Sequence, residues 1–434
     1  MRPRIREEGS LLKTFTTDAA ATLGGPDWLR ARRRAAAERF AAGSLPDATE
    51  EIWRYSRIGE LDLDAFAPVA GPATAGGGVP AELAGVADAA GRRSGLVVLR
   101  NGRIASVELD PDLAARGVEL GPLTSAADGD DLLGSVGAPV DAFVDLATAF
   151  LDDAVLLRVP RGVVVPDPVV VLHWVDEARA AVFPRLVVCA GESSQVRVLD
   201  HLASPDGAAP FVVPVVELDV ADNANLGYLS VQELGRDAWQ VAYQASRVAR
   251  DGSLVSSVVA LGGSYARVRT DSRLLGQGGS SRLLAAYFGD GTQEHDFRTM
   301  QDHAAPKTTS DLLFKGAVED EAHAVYSGLI RVRKGAAGTN AVQTNRNLVL
   351  DEGARADSVP NLEIEENDVR CAHASAVGPV DEDQRYYLEA RGVPPEVAER
   401  LIVLGFFDDV IAAAPVEALR LRLRAAVEAK VAAR

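Results

Sequence analysis

The chain has 434 residues, 47% of them hydrophobic, which is enough for more than one domain around a sizeable core. Its 62 acidic against 45 basic residues leave a net charge of -17, which opposes non-specific attraction to nucleic acid or to an anionic membrane surface. Two widely separated cysteines (Cys189 and Cys371), a charged start over residues 1–8 with no signal-peptide core, and no run near the roughly 20 apolar residues of a spanning helix point to a reducing, cytoplasmic protein.

In chain order, residues 28–42 are rich in Ala and Arg, with Trp28, Leu29 and Phe40 as their largest apolar groups, and predict a first helix. The Pro, Ala and Gly run at 69–78 lacks periodicity and predicts a connector, followed by a short strand at 96–99 that turns at Asn101-Gly102. From Asp152 the texture changes. Residues 155–159, 163–165, 169–172 and 186–189 are β-branched runs bounded by Gly, Pro and Asp, and predict strands.

The strand texture persists, with turns at Gly191, Asn223, Gly252, Gly278, Gly335 and Gly353 and no amphipathic helix between them. A doubly wound sheet needs crossover helices, and a sandwich normally closes within about 100 residues, so the uninterrupted series favours a parallel β-helix in which each coil covers the next. A jelly roll or tandem sandwich is the alternative, since the turns are irregularly spaced. After Gly378 the chain turns helical: residues 381–391 end at Gly392, and Pro394-Pro395 opens a helix with a Val397, Leu401, Leu404 stripe. A last segment, 415–434, spaces Leu419, Leu423 and Val427 four apart, a face that can dock on its own domain or meet a partner. The expected organisation is a helical and mixed region at 1–150, a mainly β core at 151–378 and a helical region at 379–434.

No enzyme signature stands out. Gly276-Gln277-Gly278-Gly279 lacks the Lys and Ser or Thr of a phosphate loop and reads as a turn, and no Gly-x-Ser-x-Gly elbow occurs in a strand-to-helix context. The histidines are dispersed, and two cysteines cannot make a four-thiolate cluster site. The sharpest local group is Cys371-Ala372-His373 at what reads as the last rung. Residues i and i+2 of a strand share a face, so thiol and imidazole project together and can both ligate iron, with the remaining ligands supplied by another chain. The plainer reading makes Cys371 a small buried residue and His373 a hydrogen-bonded edge residue; Cys189 reads as core. Glu294-His295-Asp296 and Asp302-His303 can hold a metal but read better as solvated or capping groups, and Glu363, Glu365, Glu366 and Asp368 as a solvated ridge.

Asp302-His303, Pro306-Lys307-Thr308-Thr309-Ser310-Asp311, Phe314-Lys315-Gly316 and Ser327-Gly328-Leu329-Ile330-Arg331-Val332 together resemble the core signature of the SufB/SufD family. The order continues through Gln343-Thr344-Asn345-Arg346-Asn347-Leu348, Pro360-Asn361-Leu362-Glu363-Ile364, Cys371-Ala372-His373, Asp383-Gln384-Arg385-Tyr386-Tyr387-Leu388, Arg391-Gly392 and Gly405-Phe406. Glu51-Ile52-Trp53-Arg54-Tyr55-Ser56 is similar to an N-terminal motif of the same family. SufB-type chains carry a cysteine just before the strand matching Val359-Pro360 and a glutamate after the shared histidine. Here Ala354 or its neighbour and Ala374 stand there, which resembles the SufD type; Ala374 also replaces the glycine of the SufD-type Cys-x-His-Gly.

The resemblance implies a right-handed parallel β-helix with helical flanks and a non-catalytic scaffold role, pairing with SufB while the SufC ATPase docks on the C-terminal helical region. It implies that His373, with Cys371 as a second candidate, lies at the SufB interface and helps receive a transient iron-sulfur cluster, with no stable cofactor in the isolated chain. Tyr386, Tyr387, Phe406 and Phe407 are the expected partner-binding residues of the helical region. A self-paired dimer is an alternative state, and flavin binding is left open. The rival function is a β-helix carbohydrate-active enzyme, its groove lined by the Glu363 to Asp368 acids and by Asp296 and Asp302.

Overall fold

The structure, a computed structural model, describes residues 13–69 and 78–432. The charged start at 1–8 and all but the ends of the 69–78 connector lie outside them. Successive strands alternate between two sheets. The first sheet stacks Ala154–Val159, Arg185–Ala190, Val215–Val220, Trp239–Val248, Tyr265–Leu274, Glu294–His303, His323–Val332 and Arg355–Ile364 in that order. The second stacks Gly95–Arg100, Val169–Trp174, Gln195–Ala203, Asn225–Glu233, Ser253–Ala260, Ser280–Gly289, Thr309–Val318, Thr339–Val349 and Val369–Gly378. All these neighbours pair in parallel, with Glu294 in register with His323 and His323 with Arg355. The result is a parallel β-solenoid of about eight turns.

The irregular turn spacing has a physical origin. At one corner of the solenoid a residue with positive φ recurs on successive coils: Ser193, Asn223, Asp251, Gly278, Lys307 and Gly338. Each donates its backbone N–H to the next coil, from Ser193 N to Asp222 O through to Gly338 N to Asp368 O. The corner thus requires a left-handed backbone rather than one residue type.

Both sheets are covered on both faces through the middle of the stack, which explains valine-rich runs where half-buried strands would alternate. Inside, Val155, Leu157, Val188, Val198, Leu226 and Leu254 continue into Leu283, Phe297, Phe314 and Tyr326. The N-terminal region covers the first sheet: helices Asp27–Ala42 and Ala142–Ala149 place Phe40, Phe143 and Leu146 against Phe183, Phe211 and Tyr243. The C-terminal helices Pro395–Ala413 and Arg420–Ala432 cover the second, with Val403, Phe407 and Leu423 in the same core as Leu229, Val259 and Phe288.

Three sequence expectations change. The 163–165 run is no strand, only an isolated bridge from Val164 to Gln195, because Pro160, Pro166 and Pro168 on either side cannot donate to a ladder. The stripe of helix Pro395–Ala413 is Ala398, Val403, Leu404, Phe407 and Val410, while Leu401 is exposed. The last segment docks on its own chain, burying Leu419, Leu423 and Val427. As expected, Asn101-Gly102 closes an antiparallel hairpin between Gly95–Arg100 and Arg103–Leu109.

Candidate functional site at the open end of the solenoid

The stack ends in two strands paired on one side only. Arg355–Ile364 pairs with His323–Val332 and Val369–Gly378 with Thr339–Val349, and neither has a further neighbour among the described residues. The covering helices stop short of this rung, so it stays open: Val359, Ile364 and Val377 are exposed there, with Val342 one rung below. Two ten-residue edges with free backbone donors and acceptors form a template for strand addition. Ser375 Oγ donates to Ser358 Oγ at 2.7 Å, tying the two edges across the interior.

Cys371 and His373 lie on Val369–Gly378, in register with Ala341 and Gln343. Alternation turns both toward the solenoid axis. Cys371 packs partly against the last apolar layer of Ile330, Val332, Ala336 and Ala341, and burial pushes its thiol above the usual range, against a backbone hydrogen bond at Ala341. Two residues on, beyond that layer, His373 is exposed. An imidazole open to solvent on an unpaired strand can reach an incoming chain, whereas a half-buried, protonated thiol is a poorer ligand. Among the described residues no three His, Cys, Asp or Glu side chains converge into a metal-binding group.

The other acids and histidines of the signature are structural. His303 is held by Thr308 Oγ1 at its Nδ1 (2.8 Å) and by Ser310 Oγ at its Nε2 (2.9 Å), so the Asp302-His303 and Thr308-Thr309-Ser310 motifs clamp one corner. Burial lowers His303 to about 4 and His295 to about 3, keeping both neutral. The Glu294-His295-Asp296 group, expected to be solvated, is instead buried on a strand. Asp296 accepts from Arg298 Nε (2.6 Å) and pairs with Arg267; Asp302 takes two hydrogen bonds from Arg333, at 2.6 and 2.8 Å. Both carboxylates are thus withdrawn from any groove. Glu363 remains exposed and bonds Arg331. Cys189 is partly buried beside the apolar layer of Leu156 and Val187, and burial raises its thiol to about 12.

The N-terminal motif forms a strap on the outer face of the first sheet. Arg267 stacks over Trp53 at 3.6 Å and donates to Ile52 O at 2.7 Å, and Arg298 donates to Arg54 O at 2.6 Å. Next to it, His323 joins Asp357 of the last strand (2.8 Å) to Glu294 two rungs back (3.4 Å). On the second sheet, Lys315 reaches outward to helix Pro395–Ala413, donating to Phe406 O at 2.8 Å and to both oxygens of Asp409. Of the aromatic residues expected to face a partner, Tyr386 and Tyr387 are 73% and 56% exposed, whereas Phe407 is fully buried and Phe406 packs partly against the core. The sequence reading missed Lys315 as a tether and Gln343 as the neighbour of His373; both stand inside quoted motifs, and their alternation along the strand was the available signal.

Residues 173–406 match the family model described as SUF system FeS cluster assembly, SufBD core domain. An iron-sulfur cluster assembly SufBD family protein of Mycobacterium tuberculosis is 37% identical over 309 residues, covering 69% of this chain and 77% of the relative. The iron-sulfur cluster assembly protein SufD of Bacillus subtilis is 28% identical over 418 residues, with 94% of each chain covered. That of Escherichia coli is 27% identical over 292 residues, 66% of this chain and 69% of the relative. With a parallel solenoid carrying the core signature and more than half the chain inside the family model, this chain belongs to the SufB/SufD family of iron-sulfur cluster assembly proteins.

Proposed function

We propose that this chain is a non-catalytic, cytoplasmic scaffold subunit that pairs with SufB through the open end of its solenoid and docks the SufC ATPase on its C-terminal helical region. One observation carries the reading: both sheets end in unpaired ten-residue strands with exposed apolar side chains, and His373 stands on one of them. Pairing would extend both ladders into the partner and cover Val359, Ile364 and Val377. A nascent iron-sulfur cluster is then shared cargo. His373 supplies one ligand, with Cys371 the weaker candidate, and SufB supplies the others, so the isolated chain needs no resident cofactor. Exposed Tyr386 and Tyr387 suit the ATPase contact, since Tyr is enriched in interface cores.

Co-expression with SufB and SufC tests the assembly. The expected result is a purified complex of all three, from which His373→Ala removes cluster formation without dissolving the complex. Recovery of SufB and SufC together without this chain would overturn the scaffold reading, and unchanged cluster yield would remove His373 from the site.

A further inference from the structure

Directly beneath His373 in register lies Gln343, which is 1% exposed. Its Nε2 faces the backbone carbonyl of Gly328 across the interior at 3.5 Å, which orients the amide and leaves Oε1 as a buried acceptor without a donor. Leaving such a group unsatisfied costs about 1–3 kcal/mol. Few donors are within reach. The rung below presents Leu312, and the residue above Gly328 on the opposite sheet is Pro360, which has no N–H. The ring N–H of His373, one rung of about 4.8 Å away on the same face, is the adjacent donor.

Gly328 makes this arrangement possible. A Cβ there would lie 2.8 Å from Gln343 Nε2 and would also collide with the Tyr326 hydroxyl. The glycine of the Ser327-Gly328 motif therefore keeps open the space in which the amide is held.

We infer that Gln343 is a positioning residue for His373: its Oε1 accepts one ring N–H when the partner chain covers the open end, fixing the tautomer and aiming the other ring nitrogen's lone pair at the shared cluster. Histidines that ligate metals are commonly oriented by an acceptor on their second nitrogen, and loss of that acceptor typically weakens metal holding 10- to 100-fold. The inference rests on the reading of His373 as a ligand.

The test uses the complete complex, reconstituted anaerobically, with Gln343→Met, Gln343→Glu and His373→Ala. Iron retention against a ferrous chelator and the imidazole-nitrogen hyperfine coupling of the reduced cluster are measured, together with the thermal midpoint of the isolated chain. Gln343→Met is expected to weaken iron retention about 10- to 100-fold and to alter the nitrogen coupling. Gln343→Glu, which keeps an acceptor, restores both. Should Gln343→Met not fold, Gln343→Asn, which withdraws the amide by one methylene, is expected to show the same loss. Wild-type retention and coupling in the Met or Asn variant, alongside loss of both in His373→Ala, would overturn the role of Gln343 and leave His373 in place. Wild-type behaviour of His373→Ala would instead remove the ligand reading, and this inference with it.

Discussion

Lys315 and Asp409 form an ion pair that fastens the helical region to the solenoid, with Nζ 2.7 and 2.8 Å from the two carboxylate oxygens. The pair is asymmetric: the lysine side chain is 8% exposed and the aspartate 57%. Strand Thr309–Val318, which carries Lys315, lies two rungs from the strand of His373. A partner seated on the C-terminal helices is thereby linked to the open end through one covered cation.

The asymmetry predicts unequal costs. Asp409→Asn leaves a buried ammonium facing only the Phe406 carbonyl and ring, and should destabilise the chain by about 1.5–3 kcal/mol. Lys315→Met leaves an exposed carboxylate in water and fills its own site, and should cost less than about 1 kcal/mol. Urea unfolding of both variants checks the order, and a larger loss in Lys315→Met would contradict it.

The His323 link predicts a pH-dependent contribution to stability. Burial alone would lower its pKa, but the hydrogen bonds to Glu294 and Asp357 outweigh it and the net shift is upward. A pKa raised by folding stabilises fully below the unfolded value of about 6.5 and loses that effect as pH rises through the folded value. The stability difference between wild type and His323→Gln should therefore be largest near pH 6, on the order of 1.5–3 kcal/mol, and shrink toward pH 9. A difference that grows with pH would exclude the charged pair.

His295 and His303 act with the opposite sign. Burial depresses them to about 3 and about 4, so folding stability is intact above about pH 6.5 and is lost as pH falls toward those values. Each contributes up to about 1.4 kcal/mol per pH unit over that range. His303→Gln should flatten the acid limb of the stability profile between pH 6.5 and 5, as measured by chemical unfolding. An unchanged slope would show that His303 titrates normally.

Tyr386→Ser with Tyr387→Ser should leave the unfolding free energy within about 0.5 kcal/mol of wild type, since both rings are open to solvent. SufC binding to the chain, followed by calorimetry, should weaken at least tenfold. Unaltered binding would place the ATPase contact elsewhere.

Much of this was legible in the sequence, and the parts that were not have identifiable causes. Strand texture and the absence of crossover helices pointed to the solenoid, and Asn101-Gly102 to the hairpin. The coil period was obscured because Ser193, Asn223, Asp251 and Lys307 occupy the same left-handed corner position as glycines do. Helix Pro395–Ala413 misled because it is apolar on more than one face, so that Val397 and Leu401 imitate a stripe whose buried members are Val403, Phe407 and Val410. Cys371 and His373 were readable as a pair, but not the difference in their burial, which depends on where the last apolar layer ends. Gln343 was beyond reach because its relation to His373 is one of register, and register across thirty residues is set by how the intervening turn folds.

The most direct test is hydrogen–deuterium exchange of the chain alone and with SufB. The account predicts that amides of Arg355–Ile364 and Val369–Gly378 exchange readily in the isolated chain and become strongly protected on binding. Protection confined to other surfaces, with these two strands still exchanging in the complex, would contradict it.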